Sequence, residues 1–74
     1  MAKKYPTNAI EGYLLCKACL SDTEIRRAWT ISNGDASCLK HAELWAVDGE
    51  IDHEAAQYSK VYEKLRQLGF RDAF

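Results

Sequence analysis

The sequence predicts a small α+β domain in which a knuckle and a short β-hairpin are followed by two helices. Three observations support this fold class. The chain has only 74 residues, its cysteines and a histidine occur in two closely spaced pairs, and its apolar residues adopt helical spacing after the second pair. A single core in so short a chain contributes only about 3 to 5 kcal/mol of net stability, so a further stabilising device is expected.

The composition indicates a folded cytoplasmic protein. The chain is 47% hydrophobic and 28% charged, with a formal net charge of −1. Its apolar runs are far shorter than the roughly 20 residues of a transmembrane helix, and residues 1–8 lack the apolar stretch of a secretory signal. We therefore expect one domain over residues 1–74, in which residues 1–8 form a flexible or edge segment.

Two residue pairs carry the spacing of a zinc site. Cys16 and Cys19 form a C-x2-C pair, and Cys38 and His41 form a C-x2-H pair further along the chain. An odd number of cysteines in a reducing compartment favours metal ligation over disulfides. Each pair can bind one ion from a single turn, and two pairs complete a tetrahedron. The sequence thus predicts a zinc-stabilised domain with one structural Zn²⁺ held by a zinc module of residues 13–47.

The same residues permit a metal-free interpretation. Cys16 and Cys19 would then lie on one face of a helix, Cys38 would be a small core residue, and His41 would be a surface side chain. The paired spacing favours the zinc site over this alternative.

Residues 21–32 fit either a strand or a helix, and the choice separates two architectures. With a period of two, one side of a strand that ends at the turn sequence Asn33-Gly34 is formed by Ile25, Arg27, Trp29 and Ile31. With a period of 3.6, Ser21 is the N-cap of a helix and Glu24 is its capping-box partner. The first choice gives the order of a treble-clef finger, and the second gives an all-α, helix-turn-helix-like domain. The ligand spacing favours the hairpin.

The chain after the second pair predicts two helices. A helix over residues 37–47 is indicated by Leu39, Ala42, Trp45 and Ala46, and Asp48-Gly49 ends it. A C-terminal helix over residues 51–69 has Asp52 as its N-cap and Gly69 as its stop, and its apolar face carries Ala55, Tyr58, Val61, Tyr62, Leu65 and Leu68. We expect these apolar residues to form the core and the helix contacts.

The segments around the predicted ligands resemble the zinc finger of the DksA/TraR family. The matching runs are Tyr13-Leu14-Leu15-Cys16-Lys17-Ala18-Cys19, Ile25-Arg26-Arg27 and Cys38-Leu39-Lys40-His41. The resemblance implies a second ligand pair that opens a helix. His41 stands where the family has a cysteine, and no coiled coil with an acidic tip precedes the finger, so the family's action in the RNA polymerase channel is not implied. The chain is also similar to many short zinc fingers encoded by bacteria and their phages.

Surface chemistry predicts a non-catalytic module that binds a macromolecule. The sequence has no glycine-rich phosphate loop and no nucleophile elbow, and His53, the histidine outside the ligand set, is expected to be exposed. A near-neutral charge suits a protein partner, and Leu68, Phe70 and Phe74 are candidate contacts or a homo-oligomer seam.

The alternative is a nucleic-acid-binding, transcription-regulating protein. Its candidate phosphate contacts are Lys17, Arg26, Arg27 and Lys40. A helix-turn-helix is disfavoured, because its recognition helix would present Asp35 and Glu43 to a polyanion.

Overall fold

The computed structural model describes residues 3–5 and 14–73, which form six strands and two α-helices. In chain order these are β1 (Lys3–Tyr5), α1 (Lys17–Ser21), β2 (Glu24–Ile25), β3 (Thr30–Ser32), β4 (Asp35–Ser37), β5 (Val47–Ile51), α2 (Tyr58–Gln67) and β6 (Arg71–Asp72), with a 3₁₀ turn at Leu44–Ala46. The prediction of a small α+β domain is confirmed. The part of the N-terminal segment that is described, β1, is an edge strand.

The β-hairpin forms where the sequence predicts it. β3 and β4 pair antiparallel, with Ser32 opposite Asp35. The two residues between them, Asn33 and Gly34, have φ angles of 52° and 84°. Positive φ at both central residues defines the type I′ turn, whose twist matches that of the flanking strands. The hairpin rules out the all-α alternative for residues 21–32.

The predicted strand face from residue 25 to residue 31 is wrong in its middle. Ile25 and Ile31 are buried as expected, but Arg27 and Trp29 are exposed and Ala28 is buried instead. The chain leaves β2, makes an isolated antiparallel bridge from Arg27 to Leu15, and only then enters β3. Two short strands therefore replace one continuous strand.

The predicted helix over residues 37–47 does not form. Residues after β4 make a turn and then the 3₁₀ turn, and Val47 begins β5, which pairs antiparallel with β3 and parallel with β1. Ser32 holds this return path, since its hydroxyl donates to the carbonyl of Glu43 and accepts from the N–H of Glu43, both at 3.0 Å. Leu39 and Trp45, two of the residues whose helical spacing predicted this helix, are exposed and therefore do not form a core-facing side.

The C-terminal helix is shorter than the predicted span of residues 51–69. Asp52 caps a turn, where its Oδ1 accepts from the N–H groups of Glu54 and Ala55, and α2 begins only at Tyr58. The predicted stop at Gly69 is confirmed. Its φ of 93°, its bond to the carbonyl of Arg66 and the bond from Phe70 N–H to the carbonyl of Leu65 form a Schellman motif.

The apolar core forms two clusters, apart from the buried cysteines. α2 packs Val61 and Leu65 against Leu14, Leu15 and Ile25. The second cluster lies at the four-stranded sheet and consists of Ala28, Ile31, Ala36 and Ile51. Over residues 3–5 and 14–73, neither helix is long and apolar enough to cross a membrane.

Candidate metal centre

Three cysteines and a histidine converge on one point of the structure. Nδ1 of His41 lies 3.4 Å from Sγ of Cys16, 3.4 Å from Sγ of Cys19 and 3.2 Å from Sγ of Cys38. The sulfurs of Cys19 and Cys38 are 4.0 Å apart, and all four ligand atoms lie within 4.8 Å of one another. The four predicted ligands are therefore close enough together to hold one metal ion.

Four of the six separations between ligand atoms are close to those around a tetrahedral ion. With Zn–S near 2.3 Å and Zn–N near 2.0 to 2.1 Å, a tetrahedron has edges of about 3.8 Å between sulfurs and about 3.6 Å between sulfur and nitrogen. The observed distances from His41 and between Cys19 and Cys38 fall close to these edges. The cysteines are free thiols and not a disulfide. This donor set of soft sulfur and imidazole nitrogen suits Zn²⁺.

A short helix positions the first ligand pair. Cys16 is the N-cap of α1 and Cys19 lies within it, so only Cys19 is in the helix that the metal-free interpretation predicted for both residues. The Cys16 carbonyl accepts from Leu20 N–H at 3.0 Å, and Cys16 N–H donates to the carbonyl of Arg26 at 2.9 Å. These bonds fix the first pair between α1 and the segment after β2.

A turn, and not a helix, positions the second pair. The Cys38 carbonyl accepts from the N–H groups of His41 and Ala42 at 3.1 and 2.9 Å. The turn directly follows β4, so the hairpin places Cys38 at the metal centre. The prediction that the second pair opens a helix, as in the treble-clef order and the DksA/TraR resemblance, is wrong. The metal-free interpretation was right that His41 is exposed, but it did not predict that Nδ1 of His41 lies within 3.4 Å of all three sulfurs.

Burial makes the three thiols interdependent. Cys16, Cys19 and Cys38 form a buried cluster of their own. Burial opposes ionisation of Cys16, but backbone hydrogen bonds from Cys38 and Cys19 outweigh it and lower its pKa to about 7. Burial and repulsion by Cys16 and Cys38 raise the pKa of Cys19 to about 12. A bound cation is what allows neighbouring buried thiolates to coexist.

The predicted basic patch divides into two places. A cleft of about 620 Å³ is lined by Arg26, Arg27, Trp29, Leu39 and Lys40, together with Cys38 and Ala73. We call it the basic cleft. Lys17 does not line it. Lys17 lies in a second concavity with His41 and Glu43, where its ammonium group is 3.2 Å from Asp35 Oδ1. Three of the four predicted phosphate contacts thus stand together.

The predicted apolar contacts at the C-terminus are only partly available. Leu68 is 67% exposed, but Phe70 is half-buried against the core cluster of α2, and Phe74 lies outside the described residues. Among the described residues, the most exposed of the large apolar side chains are instead Trp45, at 84% exposure, and its neighbour Leu44. Sequence reasoning missed this surface because helical spacing assigned Trp45 to a helix face.

His53 lies in an aromatic cluster that its sequence position did not indicate. Its ring centroid is 4.3 Å from that of Trp29, and a 2.6 Å hydrogen bond joins its Nδ1 to the hydroxyl of Tyr58. The Arg27 guanidinium carbon lies 4.7 Å from the centre of the Tyr58 ring. Burial, then the Arg27 charge, lower the pKa of His53, and Asp52 opposes them. Burial raises the pKa of Tyr58, and Arg27 opposes it.

Comparison of the chain with protein-family models, with curated proteins and with solved structures found no match. The resemblance to the DksA/TraR finger therefore stays a prediction. Among the residues that the structure describes, the Cys₃His cluster is the feature that carries chemistry, and it supports a metal-binding module.

Proposed function

We propose that this chain is a non-catalytic module in which one structural Zn²⁺, held by Cys16, Cys19, Cys38 and His41, fixes the shape of a surface for a protein partner. The observation that carries the proposal is the convergence of these four ligand atoms within 4.8 Å of one another. The three cysteines are buried and unpaired, and the ligand separations approach those of a tetrahedral zinc site.

A structural role follows from the number of protein donors. Four side-chain ligands fill a tetrahedral ion, whereas catalytic zinc sites use three and leave a position for water or substrate. The centre also joins parts of the chain that share little other core, since the two apolar clusters are separate. Reduced thiols at such a site are stable in the cytoplasm, which is where we place the protein.

A protein partner is supported by the exposed apolar side chains. Trp45, Leu44 and Leu39 are 84%, 74% and 65% exposed. Tryptophan is enriched among residues that dominate binding energy at protein interfaces.

A second candidate function, nucleic-acid binding, is favoured by the basic cleft, where Arg26, Arg27 and Lys40 stand beside Trp29.

Reconstitution with Co²⁺ tests the metal proposal. The reduced, metal-free chain titrated with Co²⁺ should develop the visible bands of a tetrahedral ion, together with thiolate charge-transfer absorption, and Zn²⁺ should then displace the Co²⁺. In Cys38→Ser, the charge-transfer intensity should fall to about two thirds, because two thiolates remain of three. Octahedral bands, or bands that Cys38→Ser leaves unchanged, would contradict the proposal.

A further inference from the structure

We propose that residues 43–48 form a docking surface for a cationic amphipathic segment of a protein partner, in which lysine or arginine side chains flank an apolar face. These residues run from the 3₁₀ turn into the start of β5, and we call them the 43–48 segment. The inference rests on the proposed function, because it names the chemistry of the partner that the module binds.

The 43–48 segment exposes two large apolar side chains that are neighbours in the chain. Trp45 is 84% exposed and Leu44 is 74% exposed. Neither belongs to the two apolar core clusters of the described structure. Single exposed apolar residues are ordinary, but tryptophan is among the side chains that most often dominate the binding energy of an interface. The segment therefore offers an apolar anchor that a partner can bury.

The tip of the β-hairpin holds this apolar pair in a fixed position. Before the pair, the Ser32 hydroxyl accepts from the N–H of Glu43 and donates to its carbonyl, both at 3.0 Å. After the pair, the carbonyl of Ala46 accepts from the N–H of Asn33 at 3.0 Å, and the N–H of Ala46 donates to the carbonyl of Glu43 at 2.7 Å. Leu44–Trp45 are thus bounded on both sides by hydrogen bonds, which reduces the entropy that is lost when a partner binds.

Two exposed carboxylates lie at the ends of the 43–48 segment. Glu43 and Asp48 are exposed, and neither forms an ion pair with another described residue. Asp48 accepts the N–H of Gly34 at 3.0 Å, and this neutral donor leaves the negative charge in place. Lys17 lines a concavity together with Glu43, but its ammonium group is paired with Asp35 at 3.2 Å. The apolar pair is therefore bordered by negative charge that a partner can complement.

This negative charge selects a cationic partner over the other occupants of an apolar surface. Residues 41–59 contain no lysine or arginine, and their acidic residues are Glu43, Asp48, Glu50, Asp52 and Glu54. A two-fold contact between two copies of the chain would bring the acidic side chains of both copies together, which is unfavourable. A nucleic acid or an anionic lipid surface would be repelled in the same way. A partner segment that carries both cations and apolar side chains satisfies the charge and the anchor together.

Fluorescence anisotropy with the zinc-loaded full chain tests the proposal. The probe is a fluorescein-labelled peptide of leucine and lysine with its leucines at helical spacing on one face, and the control probe has glutamine in place of lysine. Trp45→Ala should weaken binding of the cationic probe by at least about tenfold. Leu68→Ala also truncates an exposed apolar side chain, outside the 43–48 segment, and should change binding by less than about twofold.

A second pair of variants tests the charge. Glu43→Lys reverses a charge beside the apolar pair and should weaken binding of the cationic probe by at least about fivefold. Glu63→Lys makes the same change at an exposed position on α2 and should alter binding by less than about twofold. Both sites are exposed, so these variants are expected to fold, and circular dichroism measures their folding.

The outcomes separate this inference from the metal proposal, because the zinc content of every variant is measured in parallel. Binding that requires lysine in the probe and is weakened only by Trp45→Ala and Glu43→Lys supports the docking surface. If zinc is bound but the cationic probe does not bind, or if each variant behaves like its control, the docking surface is refuted and the metal centre stands. A dimer in sedimentation that Trp45→Ala dissociates would overturn the partner assignment in favour of a second copy of the chain. A chain that lacks zinc but binds the probe refutes the metal proposal alone.

Discussion

Replacement of His41 by alanine separates metal ligation from packing more cleanly than any cysteine substitution. The three cysteines are buried, so their removal changes the core as well as the ligand set. His41 is exposed, and its Nδ1 lies within 3.4 Å of the three sulfurs. An exposed side chain without a ligand role changes stability by no more than about 0.5 kcal/mol when it is replaced.

The expected cost of His41→Ala follows from the affinity of such sites. Structural zinc binds small domains with about 10 to 16 kcal/mol, so one of four ligands represents about 2.5 to 4 kcal/mol. For a domain of this length, 1 kcal/mol shifts the melting temperature by about 4 to 8 °C. We therefore expect His41→Ala to melt at least about 10 °C below the wild-type protein in the presence of zinc. Circular dichroism measures the transition.

Two further variants serve as controls for His41→Ala. His41→Cys keeps a zinc ligand at the same position and should retain most of the stability. Lys40→Ala changes the adjacent exposed residue of the same turn and should melt within about 4 °C of wild type. If His41→Ala melted as Lys40→Ala does, His41 would not be a ligand and the tetrahedral centre would be wrong.

Two other predictions test the packing and the titration of the fold. Leu65→Ala removes a buried side chain of α2 and should lower the free energy of unfolding, measured in urea, by about 2 to 3 kcal/mol. Leu68→Ala, at an exposed position just after α2, should change this free energy by less than about 0.5 kcal/mol. Equal effects of the two substitutions would contradict the core assignment. Burial and the Arg27 charge lower the pKa of His53 in the folded protein, so as the pH falls the unfolded chain is protonated at His53 before the folded chain is. The stability that neutral His53 contributes is therefore present above about pH 6.5 and is lost as the pH falls below that value. His53→Gln should flatten that part of the stability profile relative to wild type, while acid release of metal affects both proteins alike; identical profiles would show that His53 titrates normally.

Local chemistry explains the parts of the fold that the sequence predicts. The turn at Asn33-Gly34 depends on residues that tolerate positive φ, and such residues specify a hairpin wherever they occur between strands. The stop of α2 depends in the same way on Gly69. The ligand set is likewise local, since each pair of ligands lies within one turn of chain.

Long-range pairing explains the parts that the sequence does not predict. Residues 37–47 carry apolar side chains at helical spacing, but their backbone is fixed by Ser32 and by the return of β5 to the sheet. The start of α2 was misplaced because Asp52 caps a turn as well as it would cap a helix. The basic cleft joins Arg26 and Arg27 to Lys40 only after the hairpin has folded, so spacing alone could not exclude Lys17 from it.

Native mass spectrometry of the full chain, purified under reducing conditions and measured before and after treatment with a chelator, tests the central claim most directly. We expect one zinc ion per chain before treatment, and a metal-free, unfolded charge-state distribution afterwards, with all three cysteines newly open to alkylation. A chain that carries no metal yet keeps a compact charge-state distribution and protected thiols would contradict the claim that Cys16, Cys19, Cys38 and His41 hold the fold together through a metal ion.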